Sequence, residues 1–139
     1  MSKGGDIPPG FVEARGRGPF TTHNGPLYYK VEGDRFWQGF RVLSRHCNGA
    51  GIVHGGWLAA FVDGVLGNAV WRATDTRSVT LRLNVDYLGM VRPGEWVEGT
   101  AEVTRATRSL AFARGEITSG GRKVVTAEGV FKLMRRKVS

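Results

Sequence analysis

A glycine-rich segment, Asn48-Gly-Ala-Gly-Ile-Val-His54-Gly55-Gly56, leads directly into an apolar run, Trp57-Leu-Ala-Ala-Phe-Val-Asp63-Gly-Val-Leu-Gly-Asn-Ala-Val-Trp71. The run has the length of a helix and contains one carboxylate, Asp63. An ionised carboxylate in an apolar segment costs on the order of several kcal/mol unless partners or a function offset the cost. Paired glycines at a helix start leave backbone amides free for a ligand. The segment is therefore a candidate site.

The predicted helix begins near His54 and ends by Thr74, and it has almost no polar face. We therefore expect a sheet to enclose it on most sides. Glycine inside a helix costs about 1 kcal/mol relative to alanine, so Gly64 and Gly67 indicate close approach of another backbone or a ligand, unless they are merely tolerated. The apolar positions are Trp57, Leu58, Phe61, Val62, Val65, Leu66, Ala69 and Val70.

Strand patterns lie on both sides of this helix. The clearest is Ser78 to Tyr87, in which apolar residues from Val79 onward alternate with polar ones that include Thr80. The other predicted strands are Leu27 to Val31, Phe36 to His46, Val97 to Thr107, Ser109 to Ser119 and Lys123 to Met134. One long helix and a meander of antiparallel strands predict an α+β fold in which the sheet curls around the helix.

The chain has 139 residues and a mass of 15.2 kDa, which predicts a single domain spanning residues 1–139. Residues 1–25 hold most of the prolines and are expected to form an irregular arm, with a short helical turn around Phe11 to Arg15. The lone Cys47 and the polar N-terminus predict a cytoplasmic protein without a membrane partner.

The formal net charge is +8, and the positive residues are mostly scattered singly along the chain. The one dense group, Arg135 to Lys137, is typical of a solvated tail. A nucleic-acid binder would show a basic stripe interleaved with exposed aromatic residues, and we do not expect that function.

Asn48, the triplet His54-Gly55-Gly56, Asp63 nine residues after the histidine, and the strand Ser78 to Tyr87 together resemble the hotdog-fold acyl-CoA thioesterases of the phenylacetic-acid-degradation (PaaI-like) group. The resemblance covers roughly residues 36–134. It implies a curved antiparallel sheet around a central helix and a homodimer with a continuous sheet, often paired into a tetramer. It also implies hydrolysis of acyl-CoA thioesters at subunit interfaces without a metal or other cofactor.

The resemblance assigns catalytic roles to four residues. Asp63 matches the carboxylate that activates water as a general base or attacks the thioester directly, although it could instead pair with an arginine across an interface. The Gly55 amide matches the group that polarises the thioester carbonyl. Asn48 matches an asparagine that places the water or the thioester, and the alternative is a simple turn. Thr80 matches a hydroxyl near the reacting centre, and the alternative is an ordinary strand threonine.

Four further residues are expected to bind substrate. His54 and Gly56 belong to the helix start, where a structural role for His54 is favoured because the three histidines lack metal-ligand spacing. Arg105 and Arg108 are the arginines best placed by resemblance to bind the phosphates of CoA, although each could be an ordinary surface arginine.

Two alternatives to the thioesterase remain open: a hotdog-fold hydratase or dehydratase, and a non-catalytic acyl-CoA binding protein. The acyl group is not determined by the sequence. In the expected dimer, helices pack through their small residues, and Asn48 and Gly55 of one chain face Asp63 and Thr80 of the other. The small residues are Ala59, Ala60, Gly64 and Gly67.

Overall fold

The computed structural model describes residues 6–135, so the first five residues of the expected arm and the end of the basic tail after Arg135 lie outside it. The elements are β1 (Val12–Ala14), α1 (Pro19–Asn24), β2 (Leu27–Glu32), β3 (Arg35–Arg41), a 3₁₀ turn (Ser44–His46), α2 (Gly55–Thr74), β4 (Ser78–Tyr87), β5 (Trp96–Ala106), β6 (Leu110–Ser119) and β7 (Arg122–Leu133).

The seven strands form one antiparallel sheet in the order β1-β2-β3-β5-β6-β7-β4. The long helix α2 connects β3 to β4 and packs on the sheet against β4, β5, β6 and β7. The crossover through α2 places β4 at the far edge, where one side of its backbone has no partner strand within the described chain. The predicted α+β architecture is confirmed.

The eight apolar helix positions named above are all buried, but the sheet covers only one side of α2. Gly64 lies on the other side and is exposed, and a Cβ added there would meet nothing within 4 Å. Ala59, Ala60 and Gly67 on the helix are only partly buried. Enclosure on most sides is therefore wrong for a single chain, because the sheet wraps one face and leaves Gly64 uncovered and the other small residues only partly covered.

A β-bulge in β4 changes which side chains face the helix. Thr80 is paired with Phe131, but the next pair in the ladder is Arg82 with Val130, so Leu81 is an extra residue. Without a bulge, Thr80 would share the polar face of the strand with Arg82. The bulge instead puts Thr80 on the same side as Leu83, which packs against the core. The expectation that Thr80 lies on the polar face is wrong for this reason.

The N-terminal arm is more regular than the sequence indicated. Residues 12–14 form β1 and pair with β2, where a helical turn was expected, and the helical segment α1 comes later, at Pro19–Asn24. The strand expected to run to His46 ends at Arg41. His46 instead closes the 3₁₀ turn, with its Nδ1 accepting a hydrogen bond from the Leu43 amide at 3.0 Å.

Candidate active site

Asp63 lies in the middle of α2, half-buried, and is held by the neighbouring strand. The Thr80 hydroxyl donates a hydrogen bond to Asp63 Oδ1 over 2.7 Å. Within residues 6–135 of one chain, Asp63 has no ion-pair partner, and its second carboxylate oxygen accepts no hydrogen bond. The structure thus leaves one carboxylate oxygen available for a water molecule or a substrate.

The start of α2 is capped by its own histidine. His54 is the N-cap residue, and its Nδ1 accepts a hydrogen bond from the Gly56 amide at 2.8 Å. The His54 carbonyl accepts from the amides of Trp57 and Leu58. A Cβ added at position 56 would lie 2.8 Å from the His54 ring, so a larger residue there would have to displace the ring that forms the cap.

The cap leaves one amide of the first helical turn free. Within the described part of the chain, the Gly55 N–H makes no hydrogen bond, whereas the Gly56 N–H is occupied by His54. Amides at a helix N-terminus favour negative charge because of the helix dipole. The paired glycines therefore offer a ligand one amide rather than two.

Asn48 lies in the exposed loop before the helix and organises that loop. Its Oδ1 accepts hydrogen bonds from the amides of Ala50 at 2.9 Å and Ile52 at 3.4 Å. Asn48 therefore forms a turn, as the alternative interpretation of this residue expected. The side-chain amide nitrogen of Asn48 donates to no residue that the structure describes, so the same residue can still offer a donor to a ligand.

The carboxylate and the free amide lie too far apart to act together within one chain. Gly55 and Asp63 are eight residues apart on one helix, which is about 12 Å along the axis at 1.5 Å per residue. Gly55 is contacted by Tyr87, at the last residue of β4, whereas Asp63 is contacted by Thr80 near the first. The amide and the carboxylate therefore lie against opposite ends of this strand.

Arg105 and Arg108 are exposed at the end of the β5–β6 hairpin. Neither guanidinium has an ion-pair or hydrogen-bond partner among the described residues. The Ser109 carbonyl accepts from the Leu133 amide at 2.8 Å, and Leu133 pairs with Ser78 at the start of β4. The hairpin turn therefore lies at the end of the sheet that carries Thr80.

Two features near the helix start were missed by the sequence analysis. One is Tyr87, whose hydroxyl donates to the Gly55 carbonyl at 2.7 Å. A tyrosine on the apolar side of a strand needs a partner for its hydroxyl, and this is the signal that could have pointed to the contact. The other is the loop 88–95, because the Val91 carbonyl accepts from the Val53 amide at 2.8 Å just before the helix.

Glu95 holds this loop together. Burial alone would raise the pKa of Glu95, but hydrogen bonds from Ser119 and the Arg92 amide, with the charge of Arg122, lower the pKa overall. Arg122 binds Glu95 Oε1 at 2.7 Å and also donates to the Met90 carbonyl at 2.9 Å. The loop that supports the helix start thus depends on an ionised Glu95.

His46 joins the arm to the helix start. Its Nε2 lies 2.6 Å from the Asn24 carbonyl at the end of α1, and its ring stacks on Trp57 with centroids 5.3 Å apart. Burial lowers the pKa of His46, the hydrogen bond to Asn24 opposes that shift, and the charge of Arg45 adds to it. The neutral form, with Nδ1 accepting and Nε2–H donating, fits both contacts.

Between Asp6 and Arg135, no three His, Cys, Asp or Glu side chains are grouped as metal ligands would be. In the same range, no helix combines the length and the hydropathy needed to cross a bilayer.

Comparison with known proteins defines the class of protein to which this fold and site belong. The structure superposes on a mutant form of the phenylacetic acid degradation protein PaaI from Thermus thermophilus with a TM-score of 0.74, at 26% identity over 83% of this chain and 98% of that one. The fold is the hotdog fold expected from the sequence.

Sequence comparison gives the family. The model of the thioesterase superfamily matches residues 50–126, more than half of the chain. A Pseudomonas aeruginosa protein named "Putative esterase" is 33% identical over 92% of this chain and 98% of its own length. Mouse acyl-coenzyme A thioesterase 13 is 28% identical over 64% of each chain. The chain belongs to the thioesterase superfamily and is a thioester hydrolase.

Proposed function

We propose that this enzyme hydrolyses an acyl-CoA thioester to the free acid and CoA, with Asp63 as the catalytic carboxylate. The observation that carries the proposal is the Asp63–Thr80 hydrogen bond between α2 and the edge strand β4, which leaves the second carboxylate oxygen of Asp63 without a partner among residues 6–135. Thioester hydrolysis follows from the family, and the CoA substrate is supported by relatives named acyl-CoA thioesterases.

In the proposed reaction, Asp63 acts on water or on the thioester itself. As a general base, it takes a proton from water while the water oxygen bonds to the thioester carbon. The carbonyl oxygen becomes an oxyanion, which accepts a hydrogen bond from the Gly55 amide. The carbon–sulfur bond then breaks, and the CoA thiolate leaves and takes up a proton. As a nucleophile, Asp63 would instead form a mixed anhydride that water hydrolyses.

The active site in this proposal combines two chains. A twofold axis that pairs the free edges of two β4 strands brings the Thr80 end of one chain beside the Tyr87 end of its partner. Asp63 then faces Gly55 of the partner subunit, which removes the separation of about 12 Å found within one chain. The backbone groups along the free edge of β4 would then be hydrogen-bonded. In the same dimer the helix of the partner subunit would pack over Gly64, where a single chain leaves open space.

Asn48 and the two hairpin arginines complete the substrate site. The side-chain amide of Asn48, which donates to no residue that the structure describes, would donate to the thioester carbonyl or position the water. Arg105 and Arg108 would bind the pyrophosphate and the 3′-phosphate of CoA, since their guanidinium groups are exposed and have no partner among residues 6–135. His54 and Gly56 act through the helix cap, because their polar atoms are bonded to each other.

The test is the turnover of a panel of short, medium, long-chain and aryl acyl-CoAs by the wild-type enzyme and by Asp63→Asn, followed as release of free thiol. We expect Asp63→Asn to lose hydrolysis while keeping its fold and its affinity for acyl-CoA. The matched control is Asp86→Asn, the same change at an exposed position of β4. Turnover of Asp63→Asn within a few-fold of wild type would overturn the role of Asp63. Binding of acyl-CoA without turnover by the wild-type protein would favour the non-catalytic alternative.

A further inference from the structure

Tyr87 contacts the peptide unit that follows the proposed oxyanion donor. The carbonyl of Gly55 and the amide of Gly56 belong to one planar peptide group. The Tyr87 hydroxyl donates to that carbonyl at 2.7 Å, and His54 Nδ1 accepts from that amide at 2.8 Å. The peptide group is therefore held at both ends by side chains from two different elements.

We propose that Tyr87 is a positioning residue that, together with His54, orients the Gly55 N–H toward the developing oxyanion. This inference rests on the proposed function. The peptide group on the other side of Gly55 is fixed through its carbonyl, which accepts from Trp57 and Leu58. With both neighbouring peptides held, the backbone of Gly55 has little freedom, although glycine is the most flexible residue.

The packing of the ring agrees with this role. A Cβ added at Gly55 would lie 3.5 Å from the ring and hydroxyl of Tyr87, so the tyrosine covers the Gly55 backbone directly. Tyr87 is 52% exposed, so its ring is not part of the buried core. The bulge at Leu81 allows Tyr87 and Thr80 to contact α2 from the same strand, because it puts both side chains on the helix side of β4.

Tyr87 also links the oxyanion donor to the edge of the sheet. It is the last residue of β4, the strand whose free edge would pair with a second copy. Pairing of this edge would fix the end of β4 and, through the hydroxyl, the Gly55 peptide. A preorganised donor costs no rearrangement when charge develops on the substrate.

The test compares Tyr87→Phe with wild type in hydrolysis and in the binding of two unreactive CoA ligands. One is a thioether with no carbonyl, and the other is a trifluoromethyl ketone that carries an oxyanion-like oxygen when hydrated. We expect kcat to fall about tenfold with little change in KM, less than the roughly 100-fold or greater loss that follows removal of a donor itself. Affinity for the ketone should fall by a similar factor, while affinity for the thioether is unchanged.

Two further variants keep this test decisive. His54→Ala removes the other contact to the same peptide group. It should likewise lower the affinity for the ketone and leave the affinity for the thioether unchanged. Tyr29→Phe is the matched control, since that hydroxyl donates to no residue between Asp6 and Arg135. Unchanged kcat and ketone affinity in Tyr87→Phe, with an active wild type, would overturn this inference alone. A wild type that hydrolyses no acyl-CoA would overturn the proposed function and this inference with it.

Discussion

Replacing Thr80 with valine tests how strongly the Asp63 carboxylate depends on its hydrogen bond. Valine keeps the shape and suits a strand, so we expect the variant to fold. The lost bond spans 2.7 Å and ends on a carboxylate, and such bonds contribute about 1.5–3 kcal/mol. At about 1.4 kcal/mol per factor of ten, this corresponds to about 10- to 150-fold in rate if the contact is fully used in the transition state.

We expect the lower end of this range, because both side chains are only partly buried and water can replace part of the interaction. The kcat of Thr80→Val should fall about tenfold, while KM for acyl-CoA changes little because Thr80 acts through Asp63. The assay is steady-state thiol release across a range of substrate concentrations, with thermal unfolding of each variant measured in parallel.

Three controls define the result. Thr80→Ser keeps the hydroxyl and should remain near wild type. Thr100→Val makes the same change at a hydroxyl that donates to the Phe36 carbonyl, away from the site, and should alter stability rather than kcat. In the Asp63→Asn background, Thr80→Val should have little further effect, because the two residues act as a unit. A Thr80→Val enzyme as active as Thr80→Ser would refute the reasoning.

Three other predictions concern the assembly, the substrate and the pH dependence of stability. Inactive Asn48→Ala and Asp63→Asn chains, exchanged at random, should regain roughly a quarter of wild-type activity, since half of the dimers are mixed and each has one intact site; a fully exchanged mixture that stays inactive would exclude a shared site. The double variant Arg105→Ala/Arg108→Ala should raise KM for acyl-CoA but barely affect a pantetheine thioester, which lacks the phosphates; equal losses on both would mean that the arginines act through the fold. Glu95 has a lowered pKa in the folded state, so its ionised form stabilises the protein above the pKa of the unfolded chain, and this contribution is lost as the pH falls through the folded pKa. The melting temperature of Glu95→Gln should therefore lie below wild type at neutral pH and converge with it in acid, and a constant difference would contradict this.

The long helix and the later strands could be predicted closely because each is a long segment with a regular pattern. The helix was expected from near His54 to Thr74 and is found at Gly55–Thr74, and β5 to β7 lie within about one residue of their predicted bounds. The arm was predicted less well, since β1 has three residues and is held by pairing with β2, which no local pattern reveals.

The sequence by itself determined the fold class and the set of candidate residues. An apolar helix containing one acid, a glycine pair at its start and alternating strands are local properties, and they favour one architecture whatever the detailed contacts. The same patterns also placed Asp63 on α2 and Gly55 in its first turn.

Only the tertiary structure decided which of these groups meet. The bulge at Leu81 shifts the register of β4 by one residue and so turns Thr80 toward Asp63, although strict alternation places Thr80 on the opposite face. The contact of Tyr87 with the Gly55 carbonyl joins residues 32 positions apart. The contact of His54 Nδ1 with Gly56 depends on the backbone angle at the cap, and it selects which glycine amide stays free. Each of these outcomes follows from strand register, side-chain direction and chain crossing, which are properties of packed elements rather than of sequence spacing.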